Sequence, residues 1–162
     1  MNSPAEVSGA FRAGMRRLGA AIGAVPDDRQ VLVGDWSLKE VAAHIAAWDR
    51  ELVRGLDEFL AGRRPGLLDV DEDAFNERAV RAWRDAPLEA ILAEQAAAHE
   101  SLIARLEALS DGRWRSGLAD RWLDRTPITV ASLFGYTYRG QTHYDGHAEE
   151  IEEWIDKQPG VR

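Results

Sequence analysis

Apolar residues recur at helical spacing along nearly the whole chain. Ser3 followed by Pro4 pairs an N-cap with proline at the first helical position, and Phe11, Met15, Leu18 and Ile22 continue as one stripe. A helix is expected over 4–24, ending near "VPDD". In "WSLKE", Ser37 and Glu40 stand at capping-box spacing. The seam Val41, Ile45, Trp48, Leu52, Leu56 and Phe59 then predicts a helix over 37–61, stopped by Gly62 and Pro65. "PGLLDVDEDAFNERAVRAW" reads as a linker with a short helix after Asp71. Pro87 opens a third long helix, 87–109, whose seam of Leu88, Leu92, Gln95, His99, Leu102, Leu106 and Leu109 alternates by four and three. Thr126 and Pro127 repeat the cap-and-proline signal. A fourth helix is expected over 127–156, with Val130, Phe134, Thr137, Tyr144, Ala148, Ile151 and Ile155 inward. No stretch alternates as a strand would, so no sheet of consequence is expected. Each stripe needs another to cover it, which makes the fold class all-α: a four-helix bundle, antiparallel or with a crossover connection. The segment from Ser110 to Arg125 reads as a long connection. Its Trp114 and Trp122 are too large to leave in water, so it is expected to fold back over one end of the bundle.

Composition narrows the partners. A chain of 162 residues with 45% hydrophobic content suits a single domain over 1–162 with one core. Lys and Arg number 20 against 28 Asp and Glu, a net charge of −8 that repels phosphate backbones; the expected partner list is no nucleic acid and no membrane. The N-terminus interrupts its apolar pattern with arginines, and no run approaches the about 18 apolar residues of a membrane span, so a soluble, cytoplasmic protein is expected. Without cysteine, imidazole and carboxylate are left as the protein ligands for any transition metal.

The stretch "HYDGH" places His143 and His147 at i and i+4, on one helical face a turn apart. Such a pair is either a metal-ligand pair or a solvated, hydrogen-bonded one. His44, three residues after Val41 and four before Trp48, lies at the buried edge of the second helix and offers a third imidazole. Three imidazoles with an open position are a recurrent site for zinc or another divalent ion. His99 has no ligand partner at helical spacing and reads as a core histidine donating to a hydroxyl or carbonyl. Gly140 and Gly146, on turns next to the pair, suggest close approach of a helix or ligand there.

"GDWSLKEVAAHIAAWDREL", followed about one hundred residues later by "THYDGHAEEIEEWI", resembles the DinB/YfiT-like superfamily. "DAFNERAV" and "HESLIARLEALSD" are similar to its ClbS/DfsB-like branch. The resemblance runs from Phe11 to Ile155. It implies a crossover four-helix bundle, often a homodimer, with a metal, usually zinc or nickel, held by one histidine of the second helix and two of the fourth. Those positions are His44, His143 and His147 here. It further implies thiol S-transferase, mycothiol-dependent isomerase or hydrolase-like activity. ClbS-like proteins, tied to self-protection against a genotoxic natural product, commonly lack the second histidine of the last helix; His147 sides with the metal-binding members.

An ion held this way can lower the pKa of water to about 7 or activate a thiolate, which leaves hydrolysis and thiol transfer both open. Trp36, Trp48, Tyr136 and Tyr144 either line an apolar pocket above the ion or pack in the core. Arg139 either meets a carboxylate of a substrate or low-molecular-weight thiol or pairs with a surface acid. Asp49 orients a ligand or sits at the surface, and Asp145 points away from the histidines. The run Glu149, Glu150, Glu152 and Glu153 reads as a solvated face. Two functions follow: a metal-dependent transferase or hydrolase acting on a small electrophilic substrate, or a binding protein that sequesters a small molecule without turning it over.

Overall fold

The computed structural model describes residues 3–27, 29–121, 125–134 and 141–158. The fold is all-α, built on four long helices: α1 (Pro4–Gly23), α2 (Leu38–Leu60), α4 (Leu88–Glu107) and α7 (His143–Asp156). α2 packs along α4, and α1 along both α7 and α4. Shorter elements fill the connections: β1 (Val31–Val33) and β2 (Trp36–Ser37), a 3-10 turn over Gly66–Asp69, α3 (Glu72–Ala82), α5 (Asp111–Arg115), β3 (Gly117–Arg121), β4 (Pro127–Thr129) and α6 (Val130–Phe134). Among the described residues, no helix is long and apolar enough to cross a membrane.

Helices α1, α2 and α3 start where their caps dictate. Ser3 accepts from the Glu6 amide, with Pro4 in the first turn. Ser37 and Glu40 complete the expected capping box: Glu40 N–H donates to Ser37 Oγ at 3.3 Å and Ser37 N–H to Glu40 Oε2 at 2.8 Å. Asp71 caps α3 through the Ala74 amide. The stripes then bury as their periods require. Leu18, Val41, Ile45, Leu56, Leu102, Leu106 and Ile151 share one core, each shut from solvent. Truncating any of these leucines or isoleucines to alanine is a loss of about 2–5 kcal/mol.

The expected helix over 127–156 is not one element. Pro127–Thr129 is a strand paired antiparallel with β3, so Thr126 and Pro127 open no helix. Thr129 caps α6 instead, its Oγ1 accepting from the Ser132 amide at 3.0 Å. Gln141 and Thr142 are non-helical, and α7 begins at His143 under a second capping box formed by Thr142 and Asp145. Asp145 serves that box: Thr142 N–H donates to its Oδ2 at 3.0 Å. The connection from Ser110 onward is likewise structured, holding α5 and β3. Trp114 is 1% exposed, its ring stacked on Phe134 with centroids 6.2 Å apart. Trp122, Tyr136, Thr137, Arg139 and Gly140 lie outside the described residues.

The β1–β2 ribbon was also unexpected. Gly34 makes its turn in the left-handed region at φ +56, where a glycine carries no steric penalty. This turn delivers Trp36 and Ser37 to the start of α2, and so sets Trp36 beside His44.

Candidate metal centre

α2 and α7 bring three imidazoles together. His44 Nε2 lies 2.9 Å from His143 Nε2, which lies 3.0 Å from His147 Nε2, and all three ligand atoms fall within 4.8 Å of one another. The rings stand edge-to-face, with centroids 4.7–5.1 Å apart. His44, on α2, is 7% exposed. His147 is half-buried and His143, the first residue of α7, presents the most surface of the three, although its Nε2 is enclosed between the other two rings.

The outer nitrogens decide what the inner ones can do. Trp48 Nε1–H donates to Asn76 Oδ1 at 2.9 Å, and an indole N–H can only donate. That fixes the Asn76 amide with its oxygen inward, where it also meets His44 Nδ1 at 3.0 Å. His44 therefore carries its proton on Nδ1 and turns a bare Nε2 lone pair toward the cluster. His147 Nδ1 faces Glu150 Oε2 at 2.8 Å, which again places the proton on Nδ1 and the lone pair on Nε2. His143 Nε2 sits between two such acceptors and can offer at most one proton to the pair. At least one of the two Nε2–Nε2 contacts thus has no hydrogen between its nitrogens, an arrangement that a cation relieves. Imidazole ligands with Nδ1–H held by an amide oxygen or carboxylate are the donor set expected of a zinc-type site.

Electrostatics agree with ligation. Burial, and then the neighbouring His147, pushes the His44 pKa down to about 4. Crowding around the ring, and then His147 and His44, holds His143 well below the usual imidazole range. Both are neutral at pH 7, the form that binds metal.

The other sequence candidates fall into place around this cluster. Trp36 packs against His44, ring centroids 4.9 Å apart. Trp48 holds Asn76 and packs on Phe75. A cavity of about 320 Å³ is lined by Trp36, Asn76, Val80 and Arg84, but none of the three histidines lines it. Gly146 is no point of close approach: a Cβ there would meet nothing within 4 Å. Sequence reasoning passed over Asn76, 32 residues from His44, although it stands within the "DAFNERAV" stretch. It misread Glu150, whose i+3 spacing from His147 was visible within the glutamate run. Glu152, from the same run, holds Arg17 by two hydrogen bonds.

Asp49 is neither at the surface nor against a ligand. It is 1% exposed and accepts from the Tyr144 hydroxyl at 2.7 Å. His99 Nδ1 lies 2.9 Å from the same hydroxyl. Because the tyrosine donates its one proton to Asp49, His99 donates to the tyrosine oxygen, as expected for a core histidine. Burial raises the Asp49 pKa to about 7, against the Tyr144 hydrogen bond that lowers it. The Tyr144 phenol is itself pushed up, first by burial and then by Asp49.

The chain matches the family described as the mycothiol maleylpyruvate isomerase N-terminal domain over residues 8–135. This span contains His44 and stops before His143 and His147. No curated protein matches the chain. Solved structures that share its fold include two. One is an uncharacterised protein from Escherichia coli UTI89, 11% identical, covering 96% of this chain and 94% of its own at a TM-score of 0.72. The other is the colibactin self-resistance protein ClbS in complex with double-stranded DNA, 13% identical, covering 98% and 99% at a TM-score of 0.76. The ClbS complex overturns the expectation that nucleic acid is excluded as a partner, since a protein of this fold is found on DNA. A net charge of −8 is a sum over the molecule, whereas phosphate contacts depend on where individual arginines stand. The chain belongs to the mycothiol maleylpyruvate isomerase N-terminal domain family, within the DinB/YfiT-like superfamily and with similarity to its ClbS-like branch.

Proposed function

We propose that His44, His143 and His147 hold one divalent ion, zinc or nickel, and that the protein is a metal-dependent thiol S-transferase or hydrolase acting on a small electrophilic molecule. The observation that carries this reading is the convergence of three Nε2 atoms within 4.8 Å, two with their Nδ1 protons drawn outward by Asn76 and Glu150. Such an ion supplies Lewis acidity, making a thiol or a water nucleophilic near neutral pH. The chain's own residues prepare the site for it. Asn76 and Glu150 orient two of the rings, and Trp48 locks Asn76 in place. Trp36 walls His44 from solvent with an apolar face. Burial keeps His44 neutral at working pH. Tyr136 and Arg139 stay as proposed lining of the substrate pocket, Arg139 as a partner for a carboxylate of the substrate or a low-molecular-weight thiol. The test is turnover of an electrophilic acceptor with a panel of such thiols and with water alone, on untagged protein loaded with zinc or nickel. Activity should depend on the metal and vanish in His147→Ala; equal turnover in metal-free protein would sink the enzyme reading.

A second reading is favoured by the similarity to ClbS over nearly the full length of both chains. Here the protein sequesters a small molecule, or protects DNA by binding it, without metal catalysis. Stoichiometric loss of an electrophile without turnover, or retention on double-stranded DNA that weakens with salt and ignores His147→Ala, would support it. A homodimer is proposed on the superfamily resemblance alone, and analytical sedimentation checks it.

A further inference from the structure

Directly beneath the imidazoles, four helices meet on Tyr144. Its hydroxyl lies between Asp49 of α2 and His99 of α4, at 2.7 and 2.9 Å, and its ring meets Phe11 of α1 edge-on at 5.5 Å between centroids. Tyr144 is 1% exposed and immediately follows His143. Asp49 stands five residues after His44 on the same helix. The Tyr144–Asp49 hydrogen bond is therefore a short, buried tie between the helix that carries one imidazole and the first turn of the helix that carries two.

The same turn is seated from its other side. Gly14 of α1 faces it so closely that a Cβ there would lie 2.5 Å from Thr142 Oγ1 and 3.1 Å from Tyr144 Cβ. Thr142 Oγ1 cannot simply rotate away, because it accepts the Asp145 amide that starts α7. Contact with α1 thus limits how the turn can approach the bundle, and the tie to Asp49 limits how it can slide along α2.

We propose that Tyr144, through its hydroxyl held by Asp49 and His99, is a positioning residue for the three-imidazole centre, setting the height of the first turn of α7 so that His143 and His147 stand across from His44. This rests on the metal-binding reading above. The hydroxyl touches no imidazole of the centre; it acts through the helix that bears them. The Asp49 carboxyl gains its purpose in the same way. Its Oδ2 has no hydrogen-bond partner among the described residues although buried, a cost in stability that the Oδ1 tie to Tyr144 makes intelligible.

The test is cobalt(II) binding to untagged protein, followed by visible absorption and by competition with a chromophoric chelator. Wild type and Tyr144→Phe are compared with Ile103→Val, a core change on α4 outside this network. Tyr144→Phe should bind cobalt roughly tenfold or more weakly, with an altered spectrum, the scale on which supports behind a ligand act. Ile103→Val should keep wild-type affinity and spectrum. Asp49→Asn, which retains an acceptor for the tyrosine, should stay near wild type, whereas Asp49→Leu should match Tyr144→Phe and provides the comparison if that variant does not fold. Wild-type affinity and spectrum in Tyr144→Phe or Asp49→Leu, or equal losses in Ile103→Val, would overturn the positioning role alone. Absence of cobalt binding in wild type would overturn it together with the metal reading.

Discussion

Two polar triads lie close together between the same helices and follow opposite rules. His44 and His147 direct their Nδ1 protons outward and their Nε2 lone pairs at His143 Nε2. In Asp49, Tyr144 and His99 the phenol proton meets the carboxylate and the imidazole Nδ1 proton meets the phenol oxygen. The first arrangement is unfavourable unless something positive joins it; the second holds helices together with no added partner. Histidine content or burial alone would not have separated His44 from His99, since both are buried and both have lowered pKa values, led by desolvation. What separates them is whether their neighbours leave lone pairs or close hydrogen bonds.

Removal of a ligand should have the largest effect. His44→Ala or His143→Ala should lower zinc affinity beyond the ~100-fold that loss of an outer support costs. His99→Ala should instead cost about 2–3 kcal/mol of stability, from the cavity and the lost partner of Tyr144, with a smaller change in metal content. Urea melts beside elemental analysis separate the two; equal metal loss in both would erase the distinction. Next in size is Asn76→Leu, which strips the acceptor from both His44 Nδ1 and Trp48 Nε1 and should weaken zinc binding by roughly 10–100-fold. Glu150→Ala should matter least, about twofold, because that carboxylate is half exposed and screened by water. If Glu150→Ala exceeds Asn76→Leu in a chelator competition, the support of the centre is misassigned.

Acidity sharpens the contrast, because the triads titrate in opposite senses. In chelator-treated protein, His44 stays neutral in the fold down to about pH 4, against an ordinary value of 6.5. Its contribution to stability is present above pH 6.5 and is lost as pH falls toward 4. Asp49 is raised to about 7 from an ordinary 3.8, so its contribution is present below pH 3.8 and is lost as pH rises through 7. Thermal melts of Asp49→Asn should therefore gain on wild type as pH rises from 4 to 7. A constant difference over that window would contradict the raised Asp49.

Much of this was legible in the residues. Ser3, Ser37 and Asp71 announced their helices because capping residues act over three or four positions. The i, i+4 pair and the seam-edge His44 pointed to the imidazole cluster for the same local reason. What escaped depended on distance or on a variant signal. The α7 capping box uses Asp145 where glutamate is the usual partner, so the helix start at His143 was read as a continuation from Pro127. The two ribbons are too short to alternate visibly. Asn76 acquires its role only once α3 lies against α2, and Asp49 and Tyr144 meet across 95 residues. The exclusion of nucleic acid failed because it averaged charge over the chain.

That His44, His143 and His147 share one metal ion is the proposal on which the site stands. It is tested most directly by elemental analysis of untagged protein, wild type beside His147→Ala. About one zinc or nickel per wild-type chain is expected, sharply reduced in the variant while its helical circular dichroism is retained. Metal content unchanged by His147→Ala, or a wild-type protein that takes up neither metal when offered it, would rule out a shared ion on these three histidines.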